Sequence, residues 1–98
     1  MNIKSKKEDK KTIVEVSGKV DTNTAPEFLE FLKGAMPGAE ELVLDFKNLE
    51  YISSAGLRAV LFAQKTMNAQ GTMVVANVNE DIMETLELTG FVDILTII

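Results

Sequence analysis

Two adjacent serines, Ser53 and Ser54, are the residues of this chain whose position best suits chemistry. They follow an apolar run at residues 42–44 and precede a helix-forming run that begins at Ala55. Serines at a helix start lie beside unpaired backbone N–H groups and the positive end of the helix dipole. A phosphate is stabilised there, so one serine can cap the helix while the other serves as a regulatory hydroxyl. A purely structural role, in which one serine caps and neither is modified, stays open.

This sequence lacks two of the residue types that commonly act in catalysis. The chain has no cysteine and no histidine, which excludes disulfides, thiolate chemistry, Cys/His zinc sites and histidine-based triads. No aspartate cluster has the spacing of a calcium loop, and the Ser-Ser-Ala-Gly segment lacks the lysine of a P-loop. We therefore predict no catalytic residue, no metal and no cofactor.

Three charged residues are expected to surround the serines. Asp21 and Asp45 each end or follow a predicted strand, and parallel sheets gather their functional loops at the strands' carboxyl ends. Arg58 falls on the first turn of the predicted helix and is expected to be exposed. Gly56 lies in the same turn, where glycine costs up to about 1 kcal/mol relative to alanine, so either a strand or a partner must approach closely.

Strands and helices are predicted in the order β-β-α-β-α-β-α-β. The predicted strands are 2–7 and 12–17, which form a hairpin, then 42–44, 73–76 and a last strand within 92–98. The predicted helices run from a capping box at Thr24 and Glu27 to Gly34, from the serines to about Asn68, and from Asn79 to Thr89. This alternation is typical of a single α/β domain, with helices packed on a mainly parallel sheet that has an antiparallel N-terminal edge strand.

Burial can also be predicted from the pattern. The continuous apolar run 42–44 is typical of a central strand covered on both faces. The aromatic and methionine residues are expected in the core: Phe28, Phe31, Phe46, Phe62, Phe91, Met67, Met73 and Met83.

Length and charge limit the classes of partner. With 98 residues the chain is predicted to form one domain, 1–98. The net charge is −5, and the first eleven residues carry five lysines against two carboxylates, so the rest carries five cations against thirteen carboxylates. An acidic body disfavours nucleic acid, and no apolar run approaches the roughly 20 residues of a membrane span. The lysine-rich start has no apolar segment behind it, so we expect a cytoplasmic chain without membrane insertion.

Three segments in the correct order resemble the STAS domain family, which includes bacterial anti-sigma-factor antagonists and cytoplasmic domains of sulfate transporters. The longest is residues 43–58, which resembles the family's strand, linker and serine-glycine helix start. Residues 16–21 resemble its Gly-x-hydrophobic-Asp turn, and residues 88–91 its Thr/Ser-Gly-hydrophobic helix end. The resemblance extends over essentially the whole chain.

The resemblance implies a partner switch without enzymatic activity. An unphosphorylated antagonist binds a serine-kinase anti-sigma factor, phosphorylation by that kinase ends the complex, and a serine phosphatase restores it. Family members commonly carry Asp-Ser-Ser/Ala-Gly-Leu with the phosphorylated serine after the aspartate, which places the phosphorylated residue at Ser54, with Ser53 as the alternative. Ser53 itself stands where the family has aspartate. The implied partner-binding residues are Asp21, Thr22, Ser53, Ser54, Ala55, Gly56, Leu57 and Arg58.

Other functions remain open at this point. The alternative hypothesis is that the same face serves constant assembly as a STAS subunit of a lipid or anion transporter, with no phosphate added. A nucleotide-binding domain is a third hypothesis, since some relatives bind nucleotides, and a small enzyme is the least supported. We expect a monomer when the protein is free.

Overall fold

A computed structural model describes all residues, 1–98, as one α/β domain. The predicted element order is confirmed up to the third helix. The elements are β1 Asn2–Glu8, β2 Lys11–Val20, α1 Ala25–Ala35, β3 Glu41–Ile52, α2 Ser54–Asn68, β4 Thr72–Ala76, α3 Glu80–Leu88 and a 3₁₀ turn, Phe91–Asp93.

The sheet has the strand order β1-β2-β3-β4. β1 pairs antiparallel with β2 through a tight turn in which Asp9 adopts φ 58°, and β2, β3 and β4 are mutually parallel. This confirms the mainly parallel sheet with an antiparallel N-terminal edge strand. Because β2 and β3 are parallel and end in register at Val20 and Ile52, the loops that follow them begin side by side.

One face of the sheet carries the core, contrary to the expectation that the central strand is covered on both faces. Leu42 and Leu44 are fully buried against the helices, whereas Val43 between them is only half-buried. The same alternation occurs in β2, where Val14 is buried and Ile13 is half-buried. A strand alternates its side chains between two faces, so the pattern shows that helices cover one face of these strands.

The third strand is much longer than predicted, because the supposed linker after residue 44 continues as strand to Ile52. The pairing of β2 with β3 shifts register twice, between Glu15 and Ser17 and between Gly18 and Lys19. These shifts allow Leu49 and Ile52 to reach the core although polar residues separate them. Because β3 extends to Ile52, the start of α2 lies far from the apolar run at residues 42–44.

The predicted last strand is wrong. Gly90, with φ 79°, ends α3, and the carbonyl of Phe91 then accepts bonds from the N–H groups of Ile94 and Leu95. This turn occupies most of the apolar segment, and a single parallel bridge, between Val75 and Ile97, joins its end to β4.

The core contains 24 buried apolar residues, among them Phe28, Phe46, Met67 and Met73. Three aromatic or methionine residues expected there are only half-buried: Phe31, Met83 and Phe91. Phe62 departs furthest from the prediction, since 41% of it is exposed on α2. Its helical spacing was correct, but the neighbouring helix does not cover it.

Candidate functional site

Ser53 is the N-cap of α2. Its backbone is extended, with φ −83° and ψ 172°, and its side-chain oxygen accepts a hydrogen bond of 3.1 Å from the N–H of Gly56. Its own N–H donates to the carbonyl of Val20 at 2.7 Å, which ties the helix start to β2. Only 7% of Ser53 is exposed. The hydroxyl of Ser53 is therefore occupied in holding the helix start.

Ser54 is the first residue of α2, and it differs from Ser53 in its exposure and its hydrogen bonding. Its side chain is exposed, and its hydroxyl makes no hydrogen bond within the chain. It lies among the N–H groups of the first turn, where the helix dipole favours negative charge. No acidic residue occupies that turn. The two serines thus separate into a buried cap and a free hydroxyl.

Gly56 packs against the ends of two strands. A Cβ atom at this position would lie 2.7 Å from Cγ1 of Ile52 and 2.8 Å from Cγ1 of Val20. Of the two explanations left open by the sequence, the structure therefore provides the close approach of strands. Leu57, also named as a partner-binding residue, is 4% exposed and faces the core.

Asp21 organises the loop after β2. Its Oδ1 accepts bonds from the N–H groups of Asn23 and Thr24, at 2.9 and 3.0 Å, and from the Thr24 hydroxyl at 3.1 Å. The Thr24 backbone bond is the main reason why the pKa of Asp21 is held below its ordinary value, with further contributions from the Thr24 hydroxyl and the Asn23 N–H. The predicted capping box is wrong, because the Thr24 hydroxyl turns toward Asp21 and the Lys19 carbonyl instead of capping α1.

Asp45 was predicted to lie beside the serines, and this prediction is wrong. Asp45 pairs with Glu15 and Ala76 in mid-sheet, and its Oδ1 accepts from the N–H of Lys47 and the side-chain amide of Asn77. Because β3 continues for seven residues beyond it, roughly 20 Å separate it from the helix start at about 3.3 Å per residue. The prediction failed because β3 pairs with β2 over more residues than the sequence indicates.

The remaining predicted residues meet at a surface groove. Thr22, Ala55 and Arg58 line one cavity of about 400 Å³ between the first turns of α1 and α2. Sequence reasoning missed the five other residues that form its walls, which are Ala25, Pro26, Leu29, Ala59 and Phe62. The available signal was helical spacing, since position 62 follows 55 and 58 by seven and four residues and so shares their face.

Metal ligands are not grouped in this chain, since no three Asp or Glu side chains are gathered so as to hold an ion. None of the helices combines the length and apolar character needed to cross a membrane.

Comparison with known proteins gives a consistent result. The family model for the STAS domain matches residues 2–98. The anti-sigma F factor antagonist of Paenibacillus polymyxa is 32% identical over 88 residues, which are 87% of this chain and 75% of that protein. BtrV of Bordetella bronchiseptica is 41% identical over 58 residues, 58% of this chain, and this match spans only half of the length of BtrV.

Solved structures share the fold at lower sequence identity. An anti-sigma factor antagonist from Mycobacterium paratuberculosis superposes with a TM-score of 0.89 at 21% identity, covering 98% of this chain and 83% of that one. The phosphorylated form of the Bacillus cell fate determinant SpoIIAA superposes with a TM-score of 0.76 at 13% identity, covering 99% and 91%.

Proposed function

Since the chain belongs to the STAS domain family, we propose that it is an anti-sigma-factor antagonist that acts by binding, without catalysis of its own. In its unphosphorylated form it binds a serine-kinase anti-sigma factor, or a similar switch kinase, in the cytoplasm. The kinase transfers the γ-phosphoryl group of ATP to Oγ of Ser54, ADP leaves, and the hydroxyl proton passes to a base of the kinase. A serine phosphatase hydrolyses the ester and restores binding.

The observation that carries this proposal is that Ser53 is a buried N-cap whereas Ser54 is exposed. Ser53 is 7% exposed and bonded to the N–H of Gly56, so its modification would break the cap of α2. Ser54 is exposed, and a phosphate there would lie at a helix start that tolerates negative charge. Modification of Ser54 therefore changes the surface without unfolding the domain.

The effect of the phosphate on binding follows from desolvation. A dianion at an interface loses water on docking, and an unpaired buried charge costs several kcal/mol. About 3 kcal/mol corresponds to roughly a hundredfold loss of affinity. A local chemical change on a rigid scaffold is thus sufficient to release the partner.

Intact-mass analysis tests the modification. The chain is incubated with ATP and, one at a time, the purified anti-sigma-type serine kinases encoded in the genome from which it comes. We expect the added mass of one phosphate in the wild type and in Ser53→Ala, and none in Ser54→Ala. Phosphate that persists in Ser54→Ala, or no phosphate with any of these kinases, contradicts the proposal.

Binding of the same kinase tests the switch. Ser54→Glu is expected to remain folded by circular dichroism and to lose the kinase, whereas Ser54→Ala keeps it. If Ser54→Glu binds undiminished, the alternative of a permanently assembled STAS subunit, as in a lipid or anion transporter, is favoured.

A further inference from the structure

We propose that the groove between α1 and α2 binds an amphipathic helix with acidic flanks, supplied by the switch partner. The assignment of that helix to the anti-sigma kinase rests on the proposed function. The groove itself and its preference for an acidic helix are independent of the proposed function, because they follow from the shape and charge of this surface alone.

The groove extends along the α1–α2 contact on both sides of Phe62. On one side lies the cavity of about 400 Å³ that includes Ala55 and Arg58. On the other side lies a cavity of about 320 Å³ that includes Lys33 and Thr66. Ala55 and Thr66 are eleven residues apart on α2, which gives a groove of roughly 16 Å at 1.5 Å per residue. That length accommodates about three turns of a bound helix.

The surface of the groove is apolar at its centre. Phe62 is 41% exposed, and Leu29 on the facing helix is half-buried. Ala55 and Ala59 leave room beside the phenyl ring because their side chains are small. Helices bind such grooves through apolar residues at positions i, i+4 and i+7, which would contact Phe62 and its neighbours.

The charges at the groove select an acidic occupant. Arg58 and Lys33 are the only charged residues that line the two cavities, and both are cations. They are two of the five cations that the chain carries after residue 11, where carboxylates number thirteen. The ammonium of Lys33 lies 5.5 Å from the Phe62 ring centroid and 3.3 Å from the carboxylate of Glu30, an exposed pair that a partner's carboxylate can replace. A basic helix would meet repulsion from the two cations that line the cavities.

The switch serine lies at one end of this groove. Ser54 precedes Ala55, and Arg58 follows Ser54 by four residues, so the two side chains share one helix face. A phosphate on Ser54 would add negative charge at the end where the acidic helix enters, and it would attract the Arg58 guanidinium away from that helix. Both effects act in the same direction, toward release.

A synthetic peptide pair tests the groove directly. One peptide of about 14 residues carries leucine at i, i+4, i+7 and i+11 with glutamate at the flanking positions, and its twin carries lysine instead of glutamate. Titration into ¹⁵N-labelled protein is expected to shift amide signals of α1 and α2, with the acidic peptide binding at least roughly tenfold more tightly than its twin. Equal affinities, signals that move only elsewhere, or no binding of the acidic peptide at millimolar concentration overturn the proposal.

Matched variants locate the contacts. Arg58→Glu and Phe62→Ser are each expected to weaken the acidic peptide roughly tenfold or more, the scale of a central interface residue. Lys65→Glu makes the same charge reversal on an exposed α2 position outside both cavities, and Leu88→Ser removes an apolar side chain that is 80% exposed on α3. Both controls are expected to stay within twofold of the wild type, and melting curves verify that every variant is folded. Losses as large in the controls overturn the proposal.

The two proposals fail in different ways. If Ser54 is never phosphorylated but the acidic peptide still requires Arg58, the switch is refuted and the groove stands. If Ser54 is phosphorylated and the kinase binds Arg58→Glu and Phe62→Ser normally, the switch stands and the groove is refuted as its docking site. A wild-type dimer in sedimentation that Phe62→Ser dissociates would assign the groove to a second copy and also overturn the proposal.

Discussion

Replacing each of the two serines by alanine should separate stability from modification. Ser53→Ala removes the oxygen that accepts from the Gly56 N–H at 3.1 Å and leaves that buried donor without its partner. Loss of an N-cap of this kind costs about 1 kcal/mol, within a range of roughly 0.5–2. Ser54→Ala removes an exposed hydroxyl with no partner and substitutes a better helix former, so its effect should stay within about 0.5 kcal/mol.

Urea unfolding followed by circular dichroism measures both effects. We expect a lower midpoint with an unchanged slope for Ser53→Ala, and a decrease in melting temperature of roughly 4–8 °C for each 1 kcal/mol in a domain of this size. Ser53→Asn provides the matched control, because asparagine caps helices about as well as serine and should recover most of the lost stability. Equal stabilities of Ser53→Ala and the wild type, or a loss in Ser54→Ala as large as that in Ser53→Ala, would refute the assigned roles.

Three further substitutions test other parts of the structure. Gly56→Ala should destabilise the domain by about 1–2 kcal/mol in urea unfolding, since its Cβ would lie 2.7 Å from Cγ1 of Ile52 and overpacking outweighs the gain in helix propensity; unchanged stability would contradict the close packing. Gln64→Met should raise the free energy of unfolding by about 1 kcal/mol, because Oε1 of Gln64 is buried without a hydrogen-bond partner and the substitution costs only the bond that Nε2 donates to Oδ1 of the exposed Asn68 at 2.9 Å; a loss of stability would show that this bond outweighs the unpaired oxygen. Asp21→Asn should lower the melting temperature at pH 7, and this difference should shrink as the pH falls below the ordinary 3.8 and through the lower pKa that the N–H of Thr24 gives Asp21 in the folded state, because the stabilisation is lost on protonation; a difference that does not change at all with pH would mean that the charge is not its cause.

Much of the fold could be predicted because its signals are local. The cap residues Ser53 and Asn79 mark the starts of α2 and α3, and both side chains accept the expected bond from the N–H three residues on. The hairpin of β1 and β2 follows from a short polar turn between β-rich segments. Each of these features depends on residues within a few positions of one another.

The errors concern pairing between distant segments. The end of β3 is strand because it pairs with β2, more than thirty residues earlier in the chain, across two register shifts that periodicity cannot show. The C-terminal segment is as apolar as a strand, but the carbonyl of Phe91 accepts hydrogen bonds from Ile94 and Leu95, which form a turn. Only the bridge between Val75 and Ile97 then joins this segment to the sheet. Asp45 was misplaced for the same reason, since its distance from the serines depends on the length of β3.

The candidate site shows the same limit. The spacing alone allowed one serine to cap the helix while the other is modified, but it did not say which, because both positions suit an N-cap. The bond from Gly56 to Ser53 decides between them. The groove was beyond prediction, because whether Phe62 is core or surface depends on how closely α1 approaches α2.

Ser53 also explains how this chain departs from the family pattern without losing the helix start. Aspartate and serine are comparably strong N-caps, so either residue can accept the bond that Ser53 receives from Gly56. They differ in charge, because an aspartate would place a permanent negative charge next to Ser54 and opposite in sign to Arg58. With serine at the cap, the unphosphorylated surface at this end of the groove keeps the full positive character of Arg58 and the helix dipole. If Ser54 is phosphorylated as we propose, negative charge is added at this end of the groove only in the modified state, and serine at the cap keeps the unmodified surface suited to the acidic helix that we propose.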